Sequence, residues 1–171
     1  MIQDAITIYK LIVLYMLGRV NFPLTRTQVD NFILEKEYTN YLTLQQVIAE
    51  LIDTNLIIAK TIRNRTHLSV TEEGKSTLTF FQNRLSEAIK TEIDAYFKEN
   101  KLELRNEVSI LSNYYKSTSG EFEAHLIAKD KEITLVDIKL SVPLEEMAST
   151  ICENWTKKNQ SIYKYLTEQL F

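Results

Sequence analysis

At 171 residues the chain supports one ordinary domain or two small ones. Its 44% hydrophobic and 25% charged content is ordinary for a soluble globular protein, and only 3 Gly and 2 Pro exclude long linkers, low-complexity tracts and a turn-rich all-β fold. A net charge of −3 excludes a polycation that holds nucleic acid by bulk attraction. The lone cysteine, Cys152, excludes an intramolecular disulfide framework and fits a reducing cytoplasm.

The chain opens on an apolar helix in which Ile6, Tyr9, Leu11, Ile12, Leu14, Tyr15 and Leu17 cover most of the circumference. Asp4 lies in its first turn and Gly18 at its end, where each is favoured. The segment lacks a basic leader and a small-residue cleavage site, carries Lys10, and falls far short of a membrane span, so a buried first helix is expected and no membrane association. Asn21-Phe22-Pro23 then forces an extended connection.

Two capped helices follow. Thr25 precedes Gln28 by three residues and Thr43 precedes Gln46 by three, each the spacing of a capping box. The first box opens a helix from Arg26 to about Lys36 with Val29, Phe32 and Ile33 on one face. The second opens a helix from Leu44 to about Thr54, with Leu44, Val47, Ile48, Leu51 and Ile52 as its apolar set and Asn55 as a left-handed stop. Leu56–Ile62 and Thr66–Val70 are β-branched runs flanking Arg63-Asn64-Arg65, which predicts a hairpin with a basic tip. Two boxed helices and such a hairpin outline a winged helix-turn-helix over residues 1–75.

Thr71-Glu72-Glu73-Gly74 starts a further helix whose apolar positions Leu78, Phe81, Leu85, Ile89, Ile93 and Phe97 keep helical spacing; Ser86 allows either one long helix or two. Residues 76–100 read as a helical connector. After Asn100 the pattern turns to strands: Val108, Ile110 and Leu111, a turn at Thr118-Ser119-Gly120, strict alternation at Phe122, Ala124, Leu126 and Ala128, a second turn at Asp130-Lys131, then Ile133–Leu140. Pro143 begins a helix with Leu144, Met147, Ala148, Ile151, Cys152 and Trp155 on its stripe, continued by Ile162, Leu166 and Leu170. The fold class is therefore α+β, with residues 101–171 forming a small three-stranded antiparallel sheet packed by the C-terminal helix or helices.

The helix-turn-helix, the hairpin and the run LSVTEEGK resemble bacterial winged-helix transcriptional regulators of the broad PadR/MarR kind. The strings PLTRTQVDNFILEKEYTNYLTLQQVIAELIDTNLI and TEEGKSTLTFF resemble more closely an uncharacterised family of winged-helix proteins, found mostly in low-GC Gram-positive bacteria and known as a domain of unknown function. The resemblance covers nearly the whole chain. It implies the fold, a helix break near Ser86, and a regulator's role assigned from fold alone.

In that arrangement the third helix enters the major groove. Its residues away from the core are Thr43, Gln45, Gln46, Ala49 and Glu50; Gln pairs with adenine, Thr with a base edge or phosphate, Ala with a thymine methyl. Thr25, Arg26, Thr27 and Tyr41 flank the groove for phosphate contacts, and Lys60, Arg63, Asn64 and Arg65 put the wing on the neighbouring backbone. Residues 1–70 hold 7 Lys/Arg against 6 Asp/Glu, so about four or five phosphate contacts per chain would bind weakly. Binding of double-stranded DNA is thus expected from a homodimer, with the helix holding Phe80, Phe81 and Phe97 as a natural seam. The alternative is a winged-helix module whose partner is a protein.

Enzyme chemistry is not expected, nor a cofactor or metal. His67 and His125 read as isolated exposed histidines, Cys152 as a core thiol, and Glu72-Glu73 and Glu145-Glu146 as helix-start acids. There is no GxSxG, phosphate loop or dinucleotide fingerprint. Tyr114, Tyr115, Trp155, Tyr163 and Tyr165 read as core and interface residues, with an effector pocket as the lesser reading.

Overall fold

A computed structural model describes residues 2–62, 64–131 and 133–171, and the side chains of all of these except Ile2, Gln3, Leu102, Glu107 and Val108. Contacts divide the chain into two compact units, Met1–Arg105 and Asn106–Phe171. The fold is mixed α+β: among the described residues there are seven helical segments and two three-stranded antiparallel sheets.

The first unit is built around helix α1 (Ile2–Gly18), in which every residue from Leu11 to Leu17 is buried. A helix apolar on all sides needs partners on all sides, and α1 packs against α3 (Tyr41–Asp53), α4 (Glu72–Phe81) and β3 (Arg65–Val70). The extended chain after Pro23 forms β1 (Leu24–Thr25), two residues long and missed by periodicity. Leu24 and Thr25 pair with Leu68 and His67, giving the sheet order β1-β3-β2, with β2 spanning Ile57–Ile62. That pairing makes β3 the central strand and corrects the expectation for His67, which is 3% exposed with Nδ1 3.2 Å from the Arg65 carbonyl oxygen.

The capping box at α2 (Arg26–Glu35) is complete: Thr25 Oγ1 accepts from the Gln28 N–H at 3.1 Å, and Gln28 Oε1 accepts from the Thr25 N–H at 2.8 Å. The expected second box is absent. Helix α3 begins at Tyr41, three residues before Leu44, and its cap is Asn40, whose Oδ1 accepts from the Thr43 N–H at 3.0 Å. Asn and Thr are both good caps; the earlier one wins because it lets a further turn of helix form. Asn55 takes the expected left-handed conformation (φ 57°).

Gly74 explains how α4 seats. A Cβ there would lie 2.0 Å from the Leu56 carbonyl oxygen, the same oxygen that accepts from the Thr71 N–H at 3.1 Å. The helix thus rests directly on backbone. It ends at Phe81; a 3-10 turn at Gln82–Arg84 and an extended Leu85 follow, and Ser86 Oγ accepts from the Ile89 N–H at 3.3 Å to start α5 (Glu87–Ser109). Two helices are therefore formed, and α5 runs past Asn100 to Ser109. Phe97 is buried on α5, so it shares no seam with Phe80 and Phe81 of α4.

In the second unit β4 (Ile110–Lys116), β5 (Phe122–Asp130) and β6 (Ile133–Val142) make a meander covered by α6 (Glu145–Leu170). Gly120 (φ 91°) sits in the first turn. Leu126, Ala128, Val136 and Trp155 form its core, with Ile110, Ile138, Ile151, Cys152 and Ile162 packed around them. The opposite sheet face is polar only in part, since Leu111 and Ile127 pair there beside Asn113, His125 and Asp137; His125 Nε2 lies 2.6 Å from Asp137 Oδ1 across strands. The stripe of α6 is shorter than expected, since Leu144, Met147 and Leu170 are exposed.

Candidate nucleic-acid interface

The outward face of α3 is set by helical geometry. Leu44, Val47, Ile48 and Leu51 are buried, which turns Leu42, Gln45, Gln46 and Ala49 away from the core at spacings of three, one and three. Leu42 is 79% exposed and Tyr41, beside it in the first turn, 57%. A cap at Thr43 would put Leu42 outside the helix; with Asn40 in that role, Leu42 joins the stripe. Ile52, counted as apolar core, is instead partly exposed.

Two ion pairs stand behind the two glutamines. Arg26 Nε lies 3.0 Å from Asp30 Oδ1, one turn along α2, and Arg26 Nη2 donates to Gln45 Oε1. Gln46 Nε2 donates to Glu50 Oε1 at 2.8 Å, while Glu50 Oε2 lies 2.6 Å from Lys10 Nζ on α1. The Lys10 ammonium, with help from Gln46, holds the Glu50 carboxyl below the usual carboxylate range. A negative charge beside the outward face of α3 is thereby compensated. Gln46 serves Glu50, not a cap, which corrects its expected role.

The other expected contact residues divide. Thr25 is 5% exposed and its hydroxyl is the α2 cap, so burial removes it from the surface; Thr27, next in that turn, is exposed. Thr43 is half-buried with its N–H held by Asn40. Lys60 on β2, Asn64 (φ 61°) in the hairpin turn and Arg65 at the start of β3 are exposed; Arg65 pairs with Ile62 and so belongs to the strand. Arg63 lies outside the described residues. Among the described residues no three His, Cys, Asp or Glu side chains gather as metal ligands would. No helix of the described residues is long and apolar enough to cross a membrane.

The family model of a domain of unknown function, DUF4364, matches residues 9–170. The chain belongs to the DUF4364 family. No curated protein matches this DUF4364 member. Among solved structures it is similar to SSV1 F-93, at 16% identity and a TM-score of 0.37, over 53% of this chain and 92% of that one.

Proposed function

We propose that the N-terminal part of this DUF4364 protein, residues 1–75, is a winged helix-turn-helix, and that the chain is a dimeric DNA-binding transcriptional regulator. Residues 76–100 connect it to residues 101–171, which serve assembly. In this reading α3 enters the major groove, Thr27 and Arg26 meet phosphate at the start of α2, and Lys60, Arg63, Asn64 and Arg65 hold the adjoining backbone. The observation that carries it is the outward stripe of α3, with Gln45 and Gln46 at its middle, followed by a hairpin that exposes Lys60 and Arg65. The chain is then a cytoplasmic binder of double-stranded DNA and not an enzyme.

The charge of residues 1–70 makes dimerisation part of the same proposal, because doubling the phosphate contacts is what gives useful affinity at physiological salt. Binding of a labelled duplex, titrated against salt, is the test. A steep inverse dependence is expected, and replacing Arg63 and Arg65 together by Ala should weaken binding and flatten the log–log slope by about 2 per chain. A purified dimer that retains no duplex at low salt overturns the proposal. The exposed Tyr41 and Leu42 favour the second reading, a winged-helix module that docks a protein, which that outcome would leave standing.

A further inference from the structure

We propose that the half-site read by α3 is built from A·T pairs, with Gln46 set to read adenine. This rests on the DNA-binding reading above and adds the base chemistry that the face accepts. Helix α3, YLTLQQVIAELID, contains no Lys or Arg, the side chains that read guanine by donating to both N7 and O6. Its outward stripe offers Leu42, Gln45, Gln46 and Ala49.

The orientation of each glutamine amide is forced by its neighbour. A carboxylate only accepts, so the Gln46 atom 2.8 Å from Glu50 Oε1 is the NH2 group. Gln46 keeps one N–H and its whole carbonyl oxygen for a partner. That pair, donor beside acceptor, complements the N7 and N6–H2 of adenine. Guanine offers O6 where adenine offers N6–H2, so the Gln46 oxygen would face a second acceptor and lose its bond. Lys10 fixes Glu50 from behind, making Glu50 a positioning residue for this geometry. A guanidinium only donates, so the Gln45 atom facing Arg26 is its oxygen, which leaves Gln45 presenting N–H groups to base acceptors. Leu42 and Ala49, one turn to either side, suit the thymine C5-methyl.

The experiment selects duplexes for the full chain from a random pool at low salt, then measures the selected site and its variants by anisotropy. A·T enrichment is expected, with replacement of the key A·T by G·C weakening binding about tenfold. Deoxyuridine in place of thymidine, which deletes one methyl, should cost about fourfold. Gln46→Ala, an exposed change to a better helix former, should abolish the A-over-G ratio, and Glu50→Ala should narrow that ratio. Salt-sensitive binding with a G·C-rich or featureless selected pool overturns this inference and leaves the DNA-binding reading intact. Failure to retain any duplex overturns both. An unchanged ratio in Glu50→Ala overturns the positioning role.

Discussion

Asn40 and Thr43 compete to start the same helix, and their replacement separates them. Asn40→Ala should cost about 1 kcal/mol in urea unfolding, as loss of a cap does, while Thr43→Ala should be nearly neutral because its side chain caps nothing. Thr25→Ala should match or exceed the Asn40 loss, since it removes the hydroxyl arm of a buried capping box and leaves the buried Gln28 N–H without its acceptor. The Lys10–Glu50 pair makes a pH prediction. Glu50 has a lowered pKa in the folded chain, so its contribution is present above the unfolded value near ~4.3 and disappears as pH falls through the folded value. The stability advantage of the parent over Glu50→Gln should therefore shrink between pH 6 and pH 3, read as converging urea midpoints. A constant difference would mean that the pair contributes nothing.

At the scale of elements, Gly74 is the sharpest constraint. Ala is the better helix former by about 1 kcal/mol, yet its Cβ would overlap backbone at Leu56, and overpacking of that kind costs about 1–3 kcal/mol. Gly74→Ala should thus be net destabilising in chemical unfolding, the reverse of the usual helix result. The periodicities of α2, the meander and α6 are legible because each buries one repeated face, α1 because it is apolar nearly all round, and the hairpin from its β-branched runs either side of a polar turn. What escaped were features decided by contact between distant segments. Two residues cannot show a period, so β1 was invisible, and with it the burial of His67. Val108 and Ile110 suggest strand, yet the Lys, Glu, Leu and Arg before them are good helix formers and carry α5 to Ser109. For the candidate site, residue types on the third helix were readable from spacing. The ion pairs that orient Gln45 and Gln46 were not, since Lys10 lies on another helix forty residues from Glu50. Only Arg26–Asp30, four apart on α2, carried a local signal.

For the whole molecule the decisive measurement is its oligomeric state. Sedimentation should return twice the chain mass at micromolar concentration. Phe80 is 78% exposed and packs edge-on to Phe81 at a centroid distance of 4.9 Å, so α4 presents apolar surface that a monomer gains nothing by exposing. Replacing both by Glu should yield monomers and weaken DNA binding together; monomers with unchanged affinity would sever the two halves of the proposal. A last consequence follows from the sheet order β1-β3-β2. By occupying one flank of β3, the two residues of β1 leave β2 at the rim, where Ile58 is exposed and the main chain of Ile57–Ile62 faces outward. Such a rim is a template for runaway strand addition between molecules, and a lysine in its middle is the common safeguard. Lys60 therefore guards against aggregation whatever it does for a ligand: Lys60→Val should make the protein prone to precipitate on storage, even without nucleic acid.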